Sequence, residues 1–207
     1  MLKAEVLMKF MEKKVQLKHD LFKDKTLLEL GCGTGFCGLT CEKLGFKQIY
    51  LTDLSEVIDN ITTKNIAINE CDQNIVQAFE LDWKLDIESL QKLLEERGCM
   101  DQMLDVIVAS DLIFNSTQLE MVPRVCKDIC EIYYEKFKQT PTILMSYKSR
   151  HEEIDEQLYD KFSQAGFDGE QANGKELSDD LLCEPIDVFI LSMIDKEKSL
   201  EIPKLES

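Results

Sequence analysis

The chain has 207 residues, enough for one well-filled core and rarely for two. Its balance of 44% hydrophobic and 31% charged residues is that of a globular protein, and no apolar run reaches the roughly 18–20 residues of a membrane helix. A formal net charge of −16 repels phosphate backbones, which argues against nucleic-acid binding and favours a partner with a basic, lysine-bearing surface.

The acidity is uneven, because residues 1–25 hold seven lysines against four acids. Those lysines interrupt the apolar positions of the first twenty residues, unlike the unbroken apolar core of a signal peptide. Residues 4–18 place Val6, Leu7, Phe10, Met11 and Val15 at helical spacing. Thr26-Leu-Leu-Glu-Leu30 reads as a short buried strand that ends in a glycine cluster. Residues 37–44 then read as a helix stopped by Gly45.

A second strand covers 48–53, and Ser55 is expected to cap a helix running to about Asn69. A third strand is expected over 74–81, a helix over 87–96 and a buried strand over 104–109. Pro123 is expected to be the first residue of a helix that reaches Phe137. A fifth strand, 142–147, and a helix near 152–164 follow. A strand over 187–194, reached through a polar loop without a helix, fits an antiparallel partner. Five βα alternations predict an α/β, doubly wound, Rossmann-like sheet, mostly parallel, of seven-strand type with an antiparallel C-terminal strand. One domain is expected over 1–195, followed by a flexible tail over 196–207.

Eight cysteines in 207 residues fall well short of the roughly 8–10% that marks a disulfide scaffold. No CxxC pair occurs, and His19 and His151 are far apart, so no zinc-ligand spacing is present and no metal is expected. Reduced thiols packed as small hydrophobes point to a cytoplasmic or nuclear compartment.

The chemistry is concentrated at Leu28-Glu-Leu-Gly-Cys-Gly-Thr-Gly-Phe-Cys-Gly38, between the first strand and its helix. Glycines at 31, 33 and 35 let the backbone turn sharply and present amides to a ligand. Gly33, Gly35 and Gly38 also fit the G-x-G-x-x-G dinucleotide fingerprint. Asp53 ends the second strand, 20 residues after Gly33, where a carboxylate can accept from both hydroxyls of a ribose. By themselves these residues do not separate S-adenosylmethionine (SAM) from NAD.

With Glu29 two residues ahead of Gly31, L-E-L-G-C-G-T-G resembles motif I of class I SAM-dependent methyltransferases. Ile49-Tyr-Leu-Thr-Asp53-Leu54, Asn65 and Asn69, Leu81-Asp-Trp83, Asp105-Val-Ile-Val-Ala-Ser-Asp111-Leu-Ile-Phe114 and Tyr147-Lys-Ser-Arg150 narrow this. Together they resemble family 16, the seven-strand protein-lysine methyltransferases, over about residues 26–194. The resemblance implies SAM as cofactor, held by Gly31, Cys32, Gly33, Gly35, Asp53 and Leu54, with Glu29 near the methionine amino group. It implies that Asp82 and Trp83 lie at the adenine, that Ala109 and Ser110 pass beside the cofactor, and that Asp111 and Phe114 face the transferring methyl.

The branch usually reads Asp-x-x-Tyr. Phe114 loses that hydroxyl and keeps the aromatic face that suits a cation. The branch also carries a glycine and a tryptophan ahead of its first helix, whereas Met1 stands almost inside that helix, so a more open pocket or a shortened sequence is expected. The implied activity is methyl transfer to a lysine of a protein, with Asp111 orienting the amine. A small-molecule or other protein methyltransferase, and a SAM-binding interaction module of weak activity, are the alternatives. An NAD oxidoreductase ranks below them, since no proton donor or separate catalytic domain is apparent.

Overall fold

The computed structural model describes residues 2–172 and 185–204. Seven strands form one sheet: β1 (Thr26–Leu30), β2 (Gln48–Asp53), β3 (Val76–Glu80), β4 (Val106–Ser110), β5 (Thr142–Lys148), β6 (Phe167–Gln171) and β7 (Ile186–Met193). Their order is β3-β2-β1-β4-β5-β7-β6; β1 to β5 run parallel, and β7 is antiparallel to both β5 and β6. The expected doubly wound sheet with an antiparallel C-terminal strand is therefore present. Strand order reverses between β1 and β4, and in open α/β sheets the crevice at the carboxyl ends there receives ligand.

The central strands are apolar because both of their faces are covered. Successive residues of β4 separate the two sides. Ile107 and Ala109 belong to one buried cluster, shared with Leu90 of α5 (Ile87–Glu96), Val122 and Ile129 of α6 (Ser116–Phe137) and Leu158 of α7 (Glu152–Gln164). Val106 and Val108 belong to the other, with Leu7, Phe10 and Met11 of α1 (Leu2–Leu17) and Cys37 and Cys41 of α2 (Phe36–Cys41). Each large apolar side chain buried in these layers contributes on the order of 1.5–3 kcal/mol.

Four local expectations change. The helix after β2 begins at Ser55 with Leu54 as its cap, and it is not continuous. It runs as α3 (Ser55–Val57), a π-helical turn (Ile58–Thr62) and α4 (Thr63–Ile68). Helix α6 starts seven residues before Pro123, because the Asn115 side chain accepts from the amides of Thr117 and Gln118 and caps it there. Pro123 therefore sits inside the helix. Strand β6 arises from a polar stretch within the expected loop, since an edge strand needs one partner and one covered face. Residues 196–204 run back across the fold: Thr142 Oγ1 donates to the Leu200 carbonyl at 2.6 Å, and Leu200 and Ile202 are buried beside α1. Among the described residues, no helix is long and apolar enough to cross a membrane.

Candidate functional site

Three left-handed glycines shape the loop between β1 and α2: Gly31 (φ 57°), Gly33 (54°) and Gly35 (76°). A Cβ on Gly31 would lie 2.6 Å from Leu112 Cδ2 and 3.1 Å from the Trp83 indole, so only glycine lets the loop meet that wall closely. The loop is fixed from two sides. Asp53 Oδ2 accepts from the Gly33 amide at 2.8 Å, and Thr62 and Asn65 each donate at 2.8 Å to the carbonyls of Gly33 and Thr34. The π-helical turn ends at Thr62, and such turns recur at functional sites.

The loop borders a cavity of about 560 Å³ at the carboxyl ends of β1, β2 and β4. Gly31, Asp53 and Leu54 form one side, Leu81, Asp82, Trp83 and Lys84 a second, and Ser110, Asp111, Leu112 and Phe114 a third. Thr117, Gln118 and Met121, from the first turns of α6, complete it. Trp83 is partly buried, and Arg124 secures its segment by donating to the carbonyls of Trp83 and Leu85 while pairing with Asp128 at 3.0 Å. Phe114 is half exposed at the mouth. A larger groove, about 900 Å³, lies between β7 and the C-terminal segment, away from the glycine loop.

Asp111 is held from several sides. It adopts φ 58°, a conformation costly for a residue with a Cβ, and its amide donates to the Ser146 carbonyl at 2.8 Å. Lys3 Nζ and Arg150 Nη2 converge on Oδ2 at 2.7 and 2.6 Å. Burial acts to raise the carboxyl's pKa, but the hydrogen bonds and charges of Arg150 and Lys3 outweigh it and hold Asp111 below the usual carboxylate range.

The remaining sequence-predicted residues divide by position. Ser110 lines the cavity, its hydroxyl 3.0 Å from that of Ser146. Ala109 is buried inside β4, between Leu30 and Met145. Cys32 is buried with its sulfur 3.5 Å from the Thr62 hydroxyl, and burial drives its thiol pKa far up. Gly33 and Gly35 shape the loop without lining the cavity. Glu29 lies beneath the loop, 3% exposed. Its Oε2 accepts from the Gly38 amide at 2.8 Å, and burial pushes its carboxyl up to about 8. Sequence reasoning missed Leu81, Lys84, Leu112 and the α6 residues; Asn115 ahead of Ser-Thr was the signal for the last group.

Among the described residues, three buried side-chain oxygens lack a partner, and two of them, Asp111 Oδ1 and Gln118 Oε1, belong to residues of this lining. An apolar indole together with the carboxylates of Asp53 and Asp111 suits a ligand with an aromatic ring, hydroxyls and amine donors. An adenosyl amino acid carries all of these.

A family model described as lysine methyltransferase matches residues 3–164. The chain is 27% identical over 121 residues to the protein-lysine N-methyltransferase EFM3 of Chaetomium thermophilum, covering 58% of this chain and 35% of that protein. It is 26% identical over 166 residues to the protein N-terminal and lysine N-methyltransferase EFM7 of Gibberella zeae, covering 75% and 61%. It thus spans less than two thirds of the length of either relative. In fold it is similar to the ribosomal protein L11 methylase of Lactobacillus delbrueckii, with a TM-score of 0.54 at 16% identity over 89% of this chain and 77% of that one.

Proposed function

Because the chain belongs to the lysine methyltransferase family, we propose that it transfers a methyl group from SAM to the side chain of a lysine in a protein. The observation that carries this reading is the meeting of the glycine loop, Asp53, Trp83 and the doubly paired Asp111 around one cavity. Asp53 accepts from the ribose hydroxyls while the backbone amides of Gly33 and Leu54 hold its carboxylate in place, each donating a hydrogen bond of 2.8 Å. Trp83 flanks the adenine with its indole, and Asp82 is its polar neighbour. Gly31, Cys32 and Gly35 shape the turn that seats the rest of the ligand.

SAM supplies an activated methyl on sulfur; the protein supplies alignment, which can be worth several kcal/mol of barrier. The acceptor amine must arrive neutral, and a bare carboxylate would favour its charged form. Arg150 already balances Asp111, so this carboxylate orients the amine by hydrogen bonding without holding a proton on it. Phe114 offers an aromatic face at the mouth, where a lysine side chain enters. The net charge of −16 supports a protein partner whose acceptor lysine lies in a basic surface. Seven free cysteines among the described residues support a reducing compartment, cytoplasmic or nuclear.

The test is calorimetric titration of the purified protein with SAM, S-adenosylhomocysteine and NAD. Binding of both adenosyl ligands and not NAD is the expected result. Binding of none would sink the enzymatic reading and leave an interaction module.

A further inference from the structure

The cations at the candidate acceptor wall come from the chain itself. Lys3, in the first turn of α1, reaches Asp111 Oδ2 at 2.7 Å, and Arg150, just past β5, meets the same oxygen at 2.6 Å. Among the described residues, the other carboxylate oxygen is buried and without a partner.

Lys3 is delivered there by packing. Val6, Leu7, Phe10 and Met11 are buried in one layer with Val106 and Val108 of β4 and Leu144 of β5, which fixes α1 across these strands. The Ala4 carbonyl lies 3.9 Å from Cys37 Sγ, in the first turn of α2. The start of α1 therefore bridges the exit of the glycine loop and Asp111. A lysine tethered at that point is present at an effective concentration that no free acceptor matches.

We propose that Lys3 occupies the acceptor position of its own active site and is methylated there on Nζ. This rests on the cofactor and on the role of Asp111 given under Proposed function. Lys3 Nζ first gives one ammonium proton to water, and its lone pair then forms the new N–C bond as the C–S bond of the sulfonium breaks. The bonding pair stays on sulfur, leaving S-adenosylhomocysteine and a methylated ammonium on Lys3. Arg150 is a positioning residue in this step. It remains on Oδ2 when Lys3 gives up its charge, so Asp111 is never left as an unpaired anion. A foreign lysine must displace Lys3 from Asp111, which makes the first turn of α1 a competitor for the site.

The experiment has three arms on one preparation. Without cofactor, a water-soluble carbodiimide should join Lys3 to Asp111 as an amide, seen by peptide mass mapping. With SAM, mapping should show an increment of about 14 Da on Lys3, forming at a rate per molecule independent of protein concentration and absent in Lys3→Arg. Calorimetry reports SAM binding directly. Absence of the cross-link overturns the inference, as does SAM binding with Lys3 unmodified or with a rate that rises with protein concentration. In each of those cases the cofactor reading stands. Failure to bind SAM removes that reading, and this inference with it.

Discussion

Two carboxylates at the carboxyl ends of central strands have opposite fates. Glu29, at the end of β1, is buried beneath the glycine loop with the Gly38 amide on Oε2, and no ion pair reaches it among the described residues. Asp111, just past β4, is clasped by Lys3 and Arg150. Burial without a cation raises the first to about 8, while two cations hold the second down against burial. By resemblance the sequence gives Glu29 to the cofactor's amino group and Asp111 to the acceptor, and says nothing of their ionisation. Their neighbours favour the neutral form of the first and the ionised form of the second, at the cavity wall.

The sharpest way to break this comparison is at Asp111. Asp111→Ala should cut methyl transfer by about 100-fold or more, the scale of a misplaced acceptor, while SAM affinity measured by calorimetry stays within about twofold of wild type, less than 0.5 kcal/mol. Unchanged transfer of label from tritiated SAM would remove Asp111 from the acceptor site. Asp53→Ala should do the reverse. Hydrogen bonds to a charged group are each worth about 1.5–3 kcal/mol, so losing the ribose contacts should weaken SAM binding roughly 10- to 100-fold. The Gly33 and Leu54 amides would lose their acceptor as well. An affinity equal to wild type would mean the ligand lies elsewhere.

The framework side can be probed through a glycine. A Cβ on Gly38 would sit 2.1 Å from Leu51 Cδ2 and 3.0 Å from Glu29 Oε2. Gly38→Ala should therefore destabilise the fold by about 1–3 kcal/mol in urea unfolding, the usual cost of overpacking. A Cβ on Gly33 meets nothing within 4 Å among the described residues, so Gly33→Ala pays only for its left-handed backbone, about 1–2 kcal/mol. If Gly38→Ala leaves the unfolding midpoint unmoved, the close packing over Glu29 is not there.

Much of this was legible in the sequence where one signal dominates. The apolar runs of β1, β4 and β5, the helices over 87–96 and 152–164, and the glycine loop ahead of Asp53 all stand where the pattern puts them. The misses have local causes. Pro123 outweighed Asn115 as a helix-start signal, so the α6 residues that close the cavity went unseen. Edge strand β6 has no apolar alternation to announce it. The pairing of Asp111 with Lys3 and Arg150 spans more than a hundred positions on one side and 39 on the other, and nothing in the local pattern encodes it. Glu29 was legible as the acidic residue of the loop motif, but its burial beneath that loop depends on how α2 returns over β1.

A further expected effect lies in how stability changes with pH, and it isolates Glu29. Its carboxyl titrates near 8 in the folded chain and near the ordinary 4.5 when unfolded. Between those values the unfolded chain has released the proton and the folded chain has kept it. Unfolding then releases protons, and stability falls as pH rises through this window. The contribution is fully present below the ordinary carboxylate range and lost above about 8. Glu29→Gln mimics the protonated side chain and retains an oxygen for the Gly38 amide, so it should show no such loss. The difference in thermal midpoint between wild type and Glu29→Gln should therefore move steadily in favour of the variant from pH 5 to pH 9. Asp111 has the opposite sign: with its folded pKa depressed, its contribution is present above the ordinary range and disappears only in acid. A flat difference between wild type and Glu29→Gln would show that Glu29 is ionised in the folded protein, and the contrast between the two carboxylates would collapse.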